Sequence, residues 1–290
     1  MNILVTGASG FIGGCIATEV LRAGHVLSQI DLRSGIDCRD FFHADDTHFD
    51  AVIHCAAVVG GRRVMDWTPI QHAANLAIDA ALFEWAARTR PGRVIYFSSS
   101  CAYPVALGQP GRLLSESDIS WPPGPDCMPD KLYGWTKLSG ELMAWTVAAD
   151  AGVRVSIVRP FSVYGPGMND GFAVTGFLEQ VQRRADPIEI WGDAGQVRDY
   201  IHVDDVAGAV LAVIEQGVDG PVNLGTGRGT MLLNLAGMMA EAAGYKPDVK
   251  VDPGMPAGVP SLVADNARLR EFYTPAVALD DYFAETLGAA

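Results

Sequence analysis

Tyr133 and Lys137 are the two side chains whose types and spacing best suit acid–base chemistry. They stand four residues apart in the segment YGWTK, so a helix here places the phenol and the ammonium one turn apart on one face. A positive charge beside a tyrosine favours the phenolate and lowers the pKa of the phenol, which makes it a usable base. The other interpretation is a half-buried tyrosine beside a solvated lysine. Only four of the 21 basic residues are lysines, which makes the pairing unusual.

A second set of residues is suited to holding phosphate. Gly7, Gly10 and Gly13 follow the first apolar run at G-x-x-G-x-x-G spacing, with Phe11 and Ile12 between the last two. Glycine permits a tight turn and a close approach of backbone to pyrophosphate, and the start of the following helix attracts negative charge. The segment therefore predicts a dinucleotide cradle, whereas a simple glycine-rich turn before a helix is the other interpretation.

Asp31 stands 18 residues after Gly13, at the end of the second predicted strand. A carboxylate in this position can accept a hydrogen bond from a ribose 2′-hydroxyl and repels a 2′-phosphate. The residue therefore favours NAD over NADP. Arg33 keeps NADP open, and an exposed loop arginine is the other interpretation of that residue.

Alternating apolar runs and Ala-rich helical stretches must position these groups. The pattern predicts strands over 2–6, 26–31, 51–55, 93–98 and 153–159, and helices over 11–23, 69–88 and 131–150. It continues with a helix over 172–184, a strand over 188–191, a helix over 203–216, a strand over 222–224, a helix over 231–244 and a loop over 251–260. This order predicts an α/β fold, a doubly wound parallel (Rossmann) sheet followed by a smaller C-terminal α/β substrate lobe.

The expected division is a dinucleotide-binding domain over 1–166, to which 198–225 returns, and a substrate lobe over 167–197 and 226–290. With 21 basic and 34 acidic residues the 290-residue chain has a formal charge of −13, which disfavours binding to nucleic acid or to an anionic membrane surface. The five scattered cysteines predict neither a disulfide framework nor a metal site. No signal peptide or spanning segment is recognised, so we expect a cytoplasmic protein.

Six motifs together resemble a known family, the extended short-chain dehydrogenase/reductases, also called the NAD-dependent epimerase/dehydratase family. They are TGASGFIG (6–13), SSS (98–100), YGWTK (133–137), RPFSVYGPG (159–167), RDYIHVDD (198–205) and NLGTG (223–227). The resemblance covers nearly the whole chain and implies action on a nucleotide sugar. It is much less specific for the reaction than for the family.

The resemblance also implies roles for individual residues. Ser99 would hydrogen-bond the reacting sugar oxygen alongside Tyr133, and Lys137 would hold the nicotinamide ribose and tune Tyr133. The remaining cofactor contacts would be Asp37 and Cys38 at the adenine, Ala56 and Ala57 beside the ribose and pyrophosphate, Asn75, and Pro160 beside the nicotinamide. Substrate contacts would be Ser100, Ser162 and Arg198, with the Arg198 guanidinium on the diphosphate.

Cys101 bears on which reaction is expected. Family dehydratases commonly carry glutamate here, so elimination is disfavoured, whereas GDP-fucose synthases and GDP-mannose 3,5-epimerases resemble this chain in having a cysteine that serves as acid or base. Their second acid or base is missing from the segment GMND (167–170), so a small apolar filler is an equal interpretation of Cys101. A late nucleotide-gripping arginine is also missing; Arg62 and Arg63 could replace its charge or form an exposed loop pair.

The sequence thus predicts an NAD-dependent nucleotide-sugar epimerase, most simply a UDP-sugar 4-epimerase, with Tyr133 as acid and base. A nucleotide-sugar reductase and an epimerase or reductase assisted by Cys101 are alternatives. A non-catalytic protein that senses dinucleotides is an alternative of another class. Family members often form homodimers through a helix pair that would include residues 131–150, so we also expect a homodimer.

Overall fold

Parallel strands and the helices between them form most of the chain. The computed structural model describes residues 1–120 and 122–288. Its strands are β1 (Asn2–Thr6), β2 (Val26–Ile30), β3 (Ala51–His54), β4 (Val94–Phe97), β5 (Val155–Pro160), β6 (Ser162–Tyr164), β7 (Ile188–Trp191), β8 (Val197–His202), β9 (Gly220–Leu224), β10 (Gly229–Met231), β11 (Val249–Asp252) and β12 (Ser261–Leu262). Its helices are α1 (Phe11–Arg22), α2 (Cys38–Ala44), α3 (Arg62–Trp67), α4 (Ala74–Thr89), α5 (Lys131–Ala151), α6 (Ala173–Gln182), α7 (Val203–Gln216), α8 (Leu232–Ala242) and α9 (Leu279–Leu287).

Six strands make one parallel sheet in the order β2-β1-β3-β4-β5-β9. Each neighbouring pair runs parallel. The order reverses between β1 and β3, and open α/β sheets place ligands at the carboxyl ends of the strands at such a switch point. The glycine turn follows β1 and Ala56 follows β3, so both predicted cofactor segments lie at this position.

Apolar side chains cover both faces of the sheet, as the unbroken apolar runs predict. On one face, α1 and α7 contribute Ile16, Val20 and Val210 to a buried cluster with strand residues such as Ile53. On the other face, Phe42 of α2, Leu82 and Trp85 of α4, and Ala144 of α5 pack on strand residues such as Val52. The predicted doubly wound α/β fold is therefore confirmed.

A smaller set of elements lies beyond β6. Strand β8 pairs with β6, β10 and β12, while β7 pairs with β11. Helices α6, α8 and α9 share a separate apolar cluster that includes Phe177, Leu235 and Phe283. Strand β9 joins the main sheet, and β8 does not. The boundaries proposed for two domains stay a prediction, because strand pairing alone does not define independent folding units.

Two local predictions are wrong. The expected loop over 251–260 begins inside β11, whose register with β7 pairs Val251 with Ile190 and Asp252 with Trp191. Arg62 and Arg63 begin helix α3 instead of forming an exposed loop pair. Within the described residues, no helix is both long enough and apolar enough to cross a membrane.

Candidate active site

The glycine turn after β1 leaves almost no space for side chains. Gly7 has φ +69°, and a Cβ on it would lie 2.7 Å from the Ala56 nitrogen. A Cβ on Gly13 would lie 2.1 Å from the Gly7 carbonyl oxygen. Gly10 caps the start of α1 without a side-chain hydrogen bond, and Phe11 and Ile12 form its first turn. The backbone N–H groups at this helix start therefore face an approaching phosphate without a competing side chain.

Asp31 joins the glycine turn to the end of β2. Its carboxylate accepts hydrogen bonds from the backbone N–H groups of Ser9 at 2.9 Å and Arg33 at 2.8 Å. The Arg33 guanidinium donates to the Ser9 carbonyl at 2.9 Å. Arg33 and the start of α1 line an open cleft of about 330 Å³. Each Asp31 oxygen accepts one backbone bond and retains acceptor capacity, so the carboxylate can still receive a ribose hydroxyl.

The remaining predicted cofactor residues differ in the hydrogen bonds and burial of their side chains. Asp37 caps α2 and pairs with Arg39 at 2.6 Å, and hydrogen bonds from Arg39 hold the pKa of the Asp37 carboxyl below its usual value. Burial raises the pKa of the adjacent Cys38 thiol to about 11. The Asn75 side chain accepts from the Val58 N–H at 2.7 Å and donates to the Val58 carbonyl at 3.0 Å. Asn75 thus shapes the loop after β3, where Ala56 and Ala57 lie.

Tyr133 and Lys137 lie on consecutive turns of α5, and both are buried. The Lys137 ammonium donates to the Phe97 carbonyl oxygen at 2.8 Å, which fixes it at the end of β4. Ser99 follows that strand, and its hydroxyl oxygen accepts the Cys101 N–H at 3.1 Å. With that acceptor position used, the Ser99 hydrogen is available for another oxygen. The structure thus brings Ser99, Tyr133 and Lys137 together at the carboxyl end of β4.

Burial raises the pKa of Tyr133 above its usual value; the nearby Cys101 contributes in the same direction and a hydrogen bond with Ser99 opposes it. Burial lowers the pKa of Lys137, while the Asp79 charge opposes that change. The pKa of Tyr133 is therefore raised, and the lowering expected from the sequence is not found.

Cys101 lies beside Tyr133, among charged side chains. Burial raises its pKa to about 11; Asp130 adds to this effect, while Ser99, Arg62 and Arg198 oppose it. Arg62 pairs with Asp130 at 2.8 Å and also with Asp66. At neutral pH the thiol is therefore protonated and could only donate a proton.

Arg198 in β8 is the charged residue among the expected substrate contacts. Arg198 donates to the Val197 carbonyl at 2.7 Å and to the Gln196 side-chain oxygen at 2.8 Å, and burial lowers its pKa. A Cβ on Gly258 would lie 2.8 Å from Arg198 and 3.3 Å from Arg62, so the two guanidiniums approach one point. The other expected contacts are the buried Ser100, Pro160 at the end of β5, and the half-buried Ser162 in β6.

Several buried polar groups around the site were not predicted. Asp79 of α4 and Glu141 of α5 are fully buried carboxylates, and Arg159 of β5 pairs with Glu141 at 2.6 Å. The His72 ring lies 5.0 Å from the Tyr133 ring. Arg159 in the apolar run over 153–159 is a signal in the sequence, because a charged residue in a buried strand is seldom unpaired; Asp79 and Glu141 lie in helical stretches, where charged residues are common. Among residues 1–120 and 122–288, no group of three or more His, Cys, Asp or Glu could hold a metal ion.

The chain is similar to several known proteins. A dTDP-4-dehydro-6-deoxy-D-allose reductase from a Streptomyces species is 29% identical over 299 residues, spanning 93% of this chain and 90% of the relative. A GDP-mannose 3,5-epimerase from Arabidopsis thaliana is 28% identical over 297 residues, spanning 93% and 76%. The structure of the UDP-glucose 4-epimerase from Thermus thermophilus in complex with NAD superposes with a TM-score of 0.84 at 25% identity, covering 99% of this chain and 98% of that one. The family model for the NAD dependent epimerase/dehydratase family matches residues 3–225, and the chain belongs to that family.

Proposed function

We propose that this protein is an NAD-dependent epimerase of a nucleotide sugar, most simply a UDP-sugar 4-epimerase. The observation that carries the proposal is the convergence of Ser99, Tyr133 and Lys137 at the end of β4. A dinucleotide cradle at Gly7 and Gly13 opens at the same edge of the sheet. This arrangement can remove a hydroxyl proton beside a hydride acceptor and can return both afterwards.

In the proposed reaction, the Tyr133 phenolate takes the proton of the sugar hydroxyl while Ser99 donates a hydrogen bond to the same oxygen. Bound NAD supplies the hydride acceptor and donor, so the reaction has no net redox change. The resulting keto-sugar turns over in the site, and Tyr133 returns the proton after hydride addition to the opposite face. Lys137, held by the Phe97 carbonyl, would contact the nicotinamide ribose.

Asp31 supports NAD as the cofactor because its carboxylate lies at the end of β2, where a 2′-phosphate would meet a negative charge. Gly7, Gly10 and Gly13, with Phe11 and Ile12, would hold the pyrophosphate on the backbone. The further contacts we propose are Asp37 and Cys38 at the adenine, Ala56, Ala57 and Asn75 along the ribose and pyrophosphate, and Pro160 at the nicotinamide.

A nucleotide sugar is the proposed substrate because Arg198 is a half-buried guanidinium bonded only to neutral oxygens among the described residues. A diphosphate would supply the missing negative charge and suits the planar donor fork. Ser100 and Ser162 would contact the sugar. The UDP-glucose 4-epimerase with which the chain superposes favours a UDP-sugar.

A reductase is the second candidate, and the similarity to the Streptomyces reductase favours it. In that reaction Tyr133, or the protonated Cys101 thiol, would donate a proton as a keto-sugar receives hydride. The pKa of Cys101 near 11 makes the thiol an acid rather than a base at neutral pH. A route in which Cys101 removes a carbon-bound proton therefore has less support than proton transfer through Tyr133.

The decisive assay incubates the purified protein with a panel of nucleotide sugars in D2O and follows the sugars by NMR. A 4-epimerase interconverts two epimers without incorporating carbon-bound deuterium and without consuming added NADH or NADPH. Deuterium on carbon would contradict the simple 4-epimerase, and net oxidation of NADH or NADPH would identify the reductase. Tyr133→Phe should abolish turnover and leave NAD binding intact. Unchanged biological activity in that variant would instead support a non-catalytic, dinucleotide-sensing protein.

A homodimer is proposed on the apolar surface of α5. Trp135, Leu142 and Trp145 are 43%, 49% and 38% exposed on this helix. Side chains of this kind on one helix commonly pack against a partner. Light scattering should give the mass of two chains, and Leu142→Glu should reduce that mass; a single-chain mass at working concentration would contradict the proposal.

A further inference from the structure

A buried polar cluster lies behind the proposed catalytic helix. It consists of His54 on β3, Asp79 on α4, Tyr96 on β4 and Lys137 on α5, each at most 2% exposed. A carboxylate and an ammonium are costly to bury, so their presence in one cluster requires a compensating interaction. The mechanism described above uses Lys137 and assigns nothing to Asp79.

Tyr96 connects the two charged groups. Its hydroxyl donates to one carboxylate oxygen of Asp79 at 2.7 Å, and the Lys137 nitrogen lies 5.3 Å from the centroid of its ring. A cation near an aromatic face is attracted to that face. The same hydroxyl abuts Gly140, where a Cβ would lie 1.9 Å from the Tyr96 oxygen and 2.8 Å from Asp79. The cluster is thus in direct contact with the helix that carries Tyr133 and Lys137.

The other buried charges near Asp79 and Lys137 are paired with each other. Glu141, the other buried carboxylate near Lys137, is bound by Arg159 through two hydrogen bonds of 2.9 and 2.6 Å. Lys137 itself has one hydrogen bond, to the neutral carbonyl of Phe97. Lys137 is thus the one lysine or arginine of the four-residue cluster, and Asp79 is its one carboxylate.

His54 is the competing partner of Asp79. Its Nε2 lies 3.5 Å from the second carboxylate oxygen, beyond a good hydrogen bond, and its Nδ1 lies 2.8 Å from the Thr6 hydroxyl. Among the described residues, both the His54 Nε2 and that Asp79 oxygen lack a hydrogen-bond partner. The titratable groups that face Asp79 or Lys137 are Cys38 from α2, His54 from β3, Cys55 directly after β3, Tyr96 from β4, and Tyr133 and Glu141 from α5.

We propose that Asp79 is a positioning residue that acts through Tyr96 as the buried counter-charge of Lys137 and keeps the lysine protonated over the Tyr96 ring. This inference deepens the proposed function, on which it rests for its catalytic meaning. A charged Lys137 can donate to both the Phe97 carbonyl and a cofactor ribose while it keeps a positive charge over the Tyr96 ring, whereas a neutral amine keeps two N–H donors and loses that charge. The Asp79 charge opposes the effect of burial on the pKa of Lys137.

The small number of lysines makes a direct test practical. Selective ¹³Cε-lysine labelling gives at most four signals, which substitutions to arginine at Lys131, Lys246 and Lys250 assign by elimination. The Lys137 signal is then titrated in the full-length chain, in Asp79→Asn and in Glu84→Gln. Glu84 is an exposed carboxylate on the same helix as Asp79, so its variant removes an equal charge from a solvated position.

Asp79→Asn should lower the apparent pKa of Lys137 by on the order of one pH unit or more, as expected for loss of a nearby opposite charge. Glu84→Gln should leave the Lys137 titration unchanged. An unchanged Lys137 titration in Asp79→Asn would overturn the proposal and would assign Asp79 to His54. If Asp79→Asn does not fold, the unsubstituted protein still decides, because a Lys137 side chain that is neutral at pH 7 also overturns it.

Activity provides a second readout where turnover is found. Asp79→Asn should move the pH–rate profile to lower pH, because the Asp79 charge raises the pKa values of both Lys137 and Tyr133. A purely structural defect would lower the rate without moving the profile. The lysine titration requires no substrate, so it remains decisive even if no nucleotide sugar is converted.

Discussion

Gly13→Ala tests whether the turn after β1 is a phosphate cradle. The new methyl group would lie 2.1 Å from the Gly7 carbonyl oxygen and 2.8 Å from its carbon, and both atoms belong to backbone that cannot rotate away. Overpacking of this kind typically costs about 1–3 kcal/mol, partly offset by the roughly 0.5–1 kcal/mol that alanine gains over glycine in a helix. Displacing Gly7 would also misplace N–H donors to a phosphate, each worth about 1.5–3 kcal/mol.

A loss of one such donor corresponds to roughly 10- to 100-fold weaker NAD binding, measured by isothermal titration calorimetry. Gly14→Ala is the matched control, because it adds the same methyl one residue later, at an ordinary 3.5 Å from the Ala8 carbonyl oxygen. It should bind NAD normally and be as stable as the parent or slightly more so. Thermal melts of both variants separate lost folding from lost binding. A folded Gly13→Ala protein with unchanged NAD affinity would refute the cradle.

Three further outcomes are expected. Burial raises the pKa values of Tyr96, Tyr103, Tyr133 and Tyr200, so the folded state holds protons that unfolded tyrosines release near pH 10. The free energy of unfolding from urea melts should therefore fall as the pH rises above about 9, and a midpoint unchanged between about pH 9 and pH 11 would contradict this. Arg198→Gln should raise the KM for the nucleotide sugar by on the order of 10-fold or more, the effect expected when a charged hydrogen bond is lost. Arg183→Gln, at an exposed arginine, should leave the KM unchanged, and equal KM values in both variants would remove Arg198 from the site. Glu141→Gln leaves the Arg159 charge buried and unpaired, so it should lower the free energy of unfolding in urea by about 3–5 kcal/mol. Glu84→Gln should lower it by less than about 0.5 kcal/mol, and a loss below about 1 kcal/mol in Glu141→Gln would contradict the buried pair.

The central sheet could be predicted because each of its strands is indicated by its own stretch of sequence. Strands buried on both faces are continuous apolar runs, and β1 begins and ends where the run over 2–6 does. Strand β11 was missed because all four of its residues are exposed and its conformation depends on pairing with β7, some 60 residues earlier in the chain. Helix α3 also begins beside a distant segment, since a Cβ on Gly61 would lie 1.8 Å from the Gly171 carbonyl oxygen.

The proposed site also has a part that could be predicted from the sequence and a part that could not. Tyr133 and Lys137 could be paired from sequence because helical geometry alone places residues four apart on one face. Asp79, Tyr96 and Lys137 come from α4, β4 and α5, and only packing of both helices on one face of the sheet brings them together. Arg62 likewise reaches Asp130 across 68 positions of the chain. Charges that act across elements have no spacing rule that a single sequence could reveal.

The raised pKa of Tyr133 connects the protein's electrostatics to the two directions of the proposed reaction. Burial disfavours the phenolate, and it outweighs the opposing hydrogen bond with Ser99. Tyr133 therefore needs an added positive charge to act as a base, and an oxidised nicotinamide carries one while a reduced nicotinamide does not. The phenolate is favoured when hydride is to be accepted, and the phenol is favoured when hydride is to be returned. A site that held Tyr133 permanently ionised would remove the first proton readily but would be a poor acid for the second step, so the buried phenol suits a reaction that must run both ways.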